Sequence, residues 1–138
     1  MIKDEMLQRL EEHHLDIRAL LDKIRGHCGF PRPSSDELDA DRAALRKASL
    51  ARSAFISDEV VPALLVDADA DLRHDLAEML ASFTAKRQVS DAHIMRWTYA
   101  TIEQDWDGYC GAARRIWAIM EEQLDDEWRV LAPRLRGR

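Results

Sequence analysis

Apolar residues recur along the chain at the three- and four-residue spacings of amphipathic helices. In the first such segment, one stripe of the helix is apolar except for a single histidine. The stripe consists of Leu7, Leu10, His14, Ile17, Leu21 and Ile24. A helix buries this stripe, and an unpaired buried polar group costs about 1–3 kcal/mol. His14 is therefore expected to have a hydrogen-bond partner inside the protein.

The same periodicity predicts an all-α fold with no strand, as a single domain over residues 1–138. The four predicted helices span about residues 3–25, 34–66, 70–87 and 90–131. Two glycines and two prolines make residues 26–34 a loop. Amphipathic helices with short connections favour an up-down-up-down four-helix bundle.

Local signals refine these boundaries. Pro62 predicts a kink in the second helix, and Pro133 is expected to close the fourth. Ser90 and Asp91 are suitable caps for the start of the fourth helix. An early break in that helix is expected near Gly108.

Two charged residues also lie on predicted apolar stripes. Arg52 lies on the stripe of the second helix, with Glu59 at its edge, and Glu127 lies between Leu124 and Leu131 in the fourth. Simpler interpretations exist for each residue. A core histidine is usually just hydrogen-bonded, an arginine can bury only its aliphatic stem, and a glutamate near a frayed helix end can reach water.

Composition narrows the function classes. The net charge of −6 argues against a general nucleic-acid or anionic-membrane partner. No apolar run approaches the ~20 residues of a membrane span, and the charged N-terminal segment is unlike a signal peptide. Cys28 and Cys110 have neither metal-binding nor redox spacing, which favours reduced cysteines in the cytoplasm.

Three segments together resemble a hemerythrin-like, cation-binding domain. They are EEHHLDIRALLDKI at residues 11–24, SDEVVPALL at residues 57–65 and DEWRVLAPRL at residues 126–135. His14 matches the first ligand histidine of that family. The resemblance implies a four-helix bundle that binds two irons, and often dioxygen, through inward-facing histidines and carboxylates.

The sequence departs from the family pattern at the other histidine positions. In the fourth helix the histidine position falls on Gln123. In the second helix it falls on Arg52 or Phe55, depending on the register that is counted. In the third helix, His74 and Glu78 lie on the face opposite the apolar stripe. The resemblance therefore implies a di-iron site that has largely been lost.

The surviving ligand candidates are too few for a di-iron centre. Only His14, Glu59 and Glu127 match, whereas such a centre needs about six protein donors. No cofactor is expected, and iron bound through these three residues is the alternative. We expect instead that Arg52 supplies the cation, because guanidinium is permanently charged and pairs bidentately with carboxylates. His14, Arg52, Glu59 and Glu127 would then form a polar cluster in the core.

Tryptophans recur every 11 residues in the fourth helix and therefore lie along one edge of it. They are Trp106, Trp117 and Trp128, with Tyr99 close to the same line. One interpretation is packing at the boundary of the core. The other is an interface for a second copy of the chain or another protein, because Trp and Tyr are enriched in such contacts.

The sequence contains no nucleophile–base pairing, glycine-rich phosphate loop or pair of core carboxylates. We therefore do not predict an enzyme. The predicted function is that of a hemerythrin-like domain acting as a non-catalytic binding, sensor or partner-recognition bundle. The alternative is an iron protein that binds dioxygen or nitric oxide through a reduced site.

Overall fold

The computed structural model describes residues 2–136 and is all-α, with no strand in that range. Within the same range, no helix is both long and apolar enough to cross a membrane. The helices are α1 (Lys3–His27), α2 (Ser35–Phe55), α3 (Val61–Leu65), α4 (Ala70–Arg96), α5 (Tyr99–Gln104) and α6 (Trp106–Leu135). The all-α prediction is confirmed, and several predicted boundaries are corrected.

A π-helical turn, Ile56–Val60, joins α2 to α3 where a kink was predicted at Pro62. Proline has no backbone N–H, so Pro62 cannot donate to the carbonyl four residues before it. The backbone N–H of Val61 instead donates to the carbonyl of Ile56, five residues back. The prediction of a distorted helix near Pro62 therefore identified the right region. The distortion is a π-helical turn that precedes Pro62.

α4 continues to Arg96, well beyond the predicted end at residue 87. The prediction that Ser90 and Asp91 start a new helix is wrong. Asp91 lies inside α4 and accepts a hydrogen bond from Arg46 of α2, with Nη1 and Oδ1 2.7 Å apart. Its carboxylate therefore joins two helices instead of capping one.

The chain turns at Asp105, slightly before the predicted break. The Asp105 carboxylate accepts the backbone N–H of Gly108 at 3.0 Å, which caps α6. A Cβ at position 108 would collide with that carboxylate, which accounts for the glycine there. α6 then extends through Pro133 to Leu135, so the expectation that Pro133 ends the helix is also wrong.

The long helices pack as antiparallel neighbours, as the order of their cross-contacts shows. On α1 and α6, Arg25 pairs with Glu121 and Arg18 pairs with Asp125. α2 runs antiparallel to α1 and α4 in the same way, and α6 also packs against α4 and α5. The buried residues form two hydrophobic clusters, one toward each end of the bundle.

Cys28 and Cys110 form a disulfide, with their Cα atoms 5.8 Å apart. It links the residue after α1 to the first turns of α6. Trp106 Nε1 donates to the carbonyl of Phe30 at 2.8 Å and holds the adjoining loop against the same end of the bundle. The expectation of reduced, unpaired cysteines is therefore corrected, because helix packing joins positions 82 residues apart.

Candidate functional site

Three of the predicted polar residues meet in the interior of the bundle. His14 of α1, Arg52 of α2 and Glu127 of α6 are 6%, 3% and 1% exposed. The His14 Nε2 atom lies 3.0 Å from Glu127 Oε2, and Arg52 Nη1 donates to Glu127 Oε1. We call these three residues the buried polar cluster.

The buried polar cluster is a layer between the two hydrophobic clusters. In α1, His14 is flanked by Leu10 of one cluster and Ile17 of the other. In α6, Glu127 is flanked in the same way by Leu124 and Leu131. The apolar stripes of α1, α2 and α6 each pass through this polar layer at one position. This explains why each of these stripes contains a polar or charged residue.

Arg52 uses its guanidinium group in several directions. Besides Nη1 on Glu127, its Nη2 atom donates to Ser53 Oγ at 3.0 Å, and the group lies 5.3 Å from the centre of the Phe83 ring. The Nε atom is buried and has no hydrogen-bond partner among the described residues. Burial lowers the pKa of Arg52, and the charge of Glu127 opposes this effect. The side chain is therefore a buried cation and does not reach out to solvent.

Glu59 is not part of the buried polar cluster, so the prediction that it belongs there is wrong. It lies in the π-helical turn, where its side chain is 45% exposed and 3.9 Å from Arg9 Nη1. Glu127, in contrast, is buried well before the end of α6, so it does not reach water through a frayed end. His14 is hydrogen-bonded, as is usual for a core histidine.

The donors of this region do not fit a di-iron centre. Among residues 2–136, no three His, Cys, Asp or Glu side chains are grouped so that they could hold a metal ion. The guanidinium of Arg52 already neutralises Glu127 and would repel a cation placed beside it. His74 and Glu78 are exposed and lie away from the buried polar cluster, with His74 Nε2 and Glu78 Oε1 3.2 Å apart.

The four aromatic residues, for which core packing and an interface were the two interpretations, do not share one surface. Trp106 and Trp117 are buried in a hydrophobic cluster, whereas Tyr99 is exposed. Trp128 is partly buried and its ring centre lies 5.9 Å from that of His14. Their regular spacing is mainly a feature of core packing, because α6 is covered by α1, α4 and α5 on several sides.

A second buried polar group, missed in the sequence, lies between α1 and α2. His27 Nε2 is 2.6 Å from Asp41 Oδ2, and Lys23 Nζ is 3.1 Å from Asp41 Oδ1. Burial opposes ionisation of Asp41, but the hydrogen bonds from His27 and Lys23 outweigh it and lower its pKa. His27 was placed in a loop by its neighbouring glycines, whereas it is the last residue of α1.

A cavity with about 100 Å³ of internal space, open to solvent on one side, lies beside the buried polar cluster between α2, α4 and α6. We call it the α2–α4 cavity. Its walls are largely apolar, and they include Ile24, Leu45, Phe83, Ile116, Trp117 and Met120. Internal space of this order accommodates a small apolar group such as a ring or a short alkyl chain. The sequence signal was Ser49, a small polar residue on the apolar stripe of α2, which leaves room unfilled.

Arg42 and Arg52 both line the α2–α4 cavity, and both have a buried donor without a partner. The atoms are Arg42 Nη2 and Arg52 Nε, which have no hydrogen-bond acceptor among the described residues. Buried polar atoms of this kind are rare in proteins, because each one loses its hydrogen bonds to water without replacement. They indicate that the cavity is suited to an acceptor group.

His93 of α4 lines the same cavity, close to Arg42. Burial lowers the pKa of His93 from 6.5 to about 4, and repulsion by the charge of Arg42 adds to this effect. Its ring stacks on that of Tyr109, with the ring centres 5.8 Å apart. At neutral pH the imidazole is therefore uncharged, and the positive charge at this end of the cavity belongs to arginine.

The lowered pKa of His93 makes folding stability depend on pH. Between about pH 4 and 6.5 the unfolded chain binds a proton at this site that the folded chain does not, so stability falls as the pH is lowered through this window. In His93→Gln, we expect the decrease in the free energy of unfolding over this window to be smaller by about 1–2 kcal/mol. This value allows for solvent screening of a half-buried group. Denaturant unfolding at about pH 5 and about pH 7 measures the difference.

His74→Gln is the matched control, because His74 is exposed on the same helix. It should leave the pH dependence close to that of the original protein. If His93→Gln loses stability in parallel with the original chain over this window, then His93 does not titrate as described.

Comparison with known proteins returned no relative. No protein-family model, curated protein or solved structure matches the chain. The case for a function therefore rests on the geometry of the buried polar cluster and the α2–α4 cavity.

Proposed function

We propose that this protein is a non-catalytic binding protein that takes a small molecule into the α2–α4 cavity. In this proposal the fold is an up-down-up-down four-helix bundle of the hemerythrin-like kind. Arg52 supplies the internal positive charge that metal ions supply in that family. The three sequence segments that resemble the family support this view, as do the antiparallel contacts of the long helices.

The position of Arg52 is the observation that carries the proposal. One side of its guanidinium group donates to Glu127 within the buried polar cluster. The same side chain lines the α2–α4 cavity and has an unpartnered Nε atom. In this proposal a permanent cation takes the place of a metal centre on one side and borders the space for a small ligand on the other.

The use of the titratable groups favours binding over catalysis. His14 and Glu127 are bonded to each other, and Glu127 also accepts from Arg52, so neither is a free acid or base facing the cavity. Ser53, a hydroxyl on the cavity wall, accepts a hydrogen bond from Arg52. These interactions stabilise a fixed arrangement, which suits a binding or sensor role.

A titration with 1-octanol tests the proposal. We expect saturable changes in the amide resonances of α2, α4 and α6 along the cavity walls. Ser49→Trp should weaken octanol binding by about tenfold, because the indole ring would fill the space. Ala51→Trp is the matched control, since residue 51 is exposed on the same helix and should leave binding unchanged.

The outcomes are distinct. If Ser49→Trp does not fold, Ser49→Leu provides a smaller filling side chain for the same test. Equal binding of octanol by both tryptophan variants would contradict the proposal, and so would the absence of saturable binding of both octanol and an anionic compound with the same chain. The same preparation is exposed to ferrous iron under air. Stoichiometric iron with a visible absorption band that His14→Ala abolishes would favour an iron protein that binds dioxygen or nitric oxide.

A further inference from the structure

The lining of the α2–α4 cavity is strongly cationic in a protein whose net charge is −6. Five cationic side chains line it, and one carboxylate, that of Asp91. The cations are Arg42, Arg46, Arg52, Lys86 and Arg87. Asp91 pairs with Arg46, and Arg52 pairs with Glu127. The remaining three cations form no ion pair with a carboxylate among the described residues. The cavity thus has an excess of positive charge that the protein does not neutralise itself.

Arg42 differs from the other two unpaired cations, Lys86 and Arg87, because it has a buried donor atom without an acceptor among the described residues. Arg42 is partly buried, its guanidinium group lies 5.6 Å from the centre of the Tyr109 ring, and its Nη2 atom has no acceptor. Arg87 is exposed, and water screens its charge. An anion gains most beside a desolvated donor, because the electrostatic interaction is stronger at low dielectric.

The apolar part of the cavity extends from Arg42 toward Arg52. These residues are ten positions apart on α2, which corresponds to about 15 Å along a helix axis. Leu45 and Ser49 lie between them on the cavity wall, and Phe83 and Trp117 face the same space. An elongated apolar group fits this wall, with a polar acceptor at the end that meets Arg42.

We infer that the α2–α4 cavity binds an elongated organic anion, with its acidic head group on Arg42 and its apolar chain running toward Arg52. This inference rests on the proposed binding function and adds the chemical class of the ligand. The shared chemistry is a carboxylate or sulfonate-type head group on an aliphatic or aromatic body.

The test compares 1-octanesulfonate with 1-octanol, which share a chain and differ in the head group. A sulfonate is ionised across the usable pH range, so its charge does not vary in the titration. We expect the sulfonate to bind about tenfold more tightly than the alcohol, the gain of one charge-assisted hydrogen bond to a buried donor. Arg42→Gln should reduce that preference to about twofold.

Lys86→Gln is the matched control, since it removes one positive charge from the α4 wall of the same cavity, one helical turn from the Phe83 ring that Arg52 contacts. It should retain most of the preference for the sulfonate. A larger loss in Lys86→Gln than in Arg42→Gln would overturn the placement of the head group. Equal affinities of the original protein for sulfonate and alcohol would overturn the ligand class and leave the binding function standing. Failure of both compounds to bind would overturn the proposed function itself.

Discussion

Replacing Arg52 by methionine is expected to lower the free energy of unfolding by about 3–5 kcal/mol. The substitution keeps a long side chain in the core but removes its charge and donors. Glu127, which is 1% exposed, would then keep only its hydrogen bond with His14. A buried carboxylate without a compensating cation is strongly unfavourable, which makes this one of the two largest effects on stability that we expect.

The double variant Arg52→Met with Glu127→Leu should recover most of that loss. Apolar residues of similar volume often replace a buried ion pair without loss of stability, because both desolvation costs disappear together. Urea unfolding of the original protein, both single variants and the double variant gives the coupling energy between the two sites. A double variant no more stable than Arg52→Met would contradict the pairing of these two residues.

The exposed pair of Arg46 and Asp91 is the control for burial. These side chains are joined at 2.7 Å, but both are more than two fifths exposed. Removing this pair should change stability by no more than about 1 kcal/mol, because water screens it. If both pairs give effects of the same size, then burial is not what makes Arg52 important.

Helical periodicity was sufficient to find the residues of the buried polar cluster but not their contacts. His14, Arg52 and Glu127 were noticed because each interrupts an apolar stripe, and the stripe is a property of one helix. The hydrogen bonds that join them connect positions 75 and 113 residues apart. Which of these polar residues contact each other depends on how the three helices are shifted along their axes relative to one another. The apolar stripe of one helix contains no information on that shift.

The error over Glu59 has a local cause. The helical wheel that placed it near the core assumes a constant 100° per residue. The π-helical turn breaks that assumption over Ile56–Val60, the segment that contains Glu59. Pro62 marked the distortion in the sequence, but the proline does not determine the direction in which the preceding turn rotates its side chains.

The α2–α4 cavity was missed for a different reason. A cavity is space between helices, and the sequence pattern records only which residues face inward. Ser49 on the stripe of α2 was compatible equally with close helix packing and with a void. The cavity forms because α4 is long. Its continuation to Arg96 places Asp91 and His93 beside α2, where they form part of the cavity wall. The predicted end at residue 87 would have removed that wall.

Removing the disulfide by Cys28→Ser with Cys110→Ser is expected to lower the free energy of unfolding by about 2–4 kcal/mol. The bond closes a long loop, since its cysteines are 82 residues apart, and it restricts the unfolded chain far more than the folded one. Guanidinium unfolding with and without a reducing agent measures the effect in the original protein. The double variant is the control, because a reducing agent should not change its stability. Equal stability of the original protein in oxidising and reducing buffer would contradict a structural role for this bond. α1 and α6 would then be held together at this end by noncovalent contacts, which include the Arg25–Glu121 ion pair and packing around Cys110.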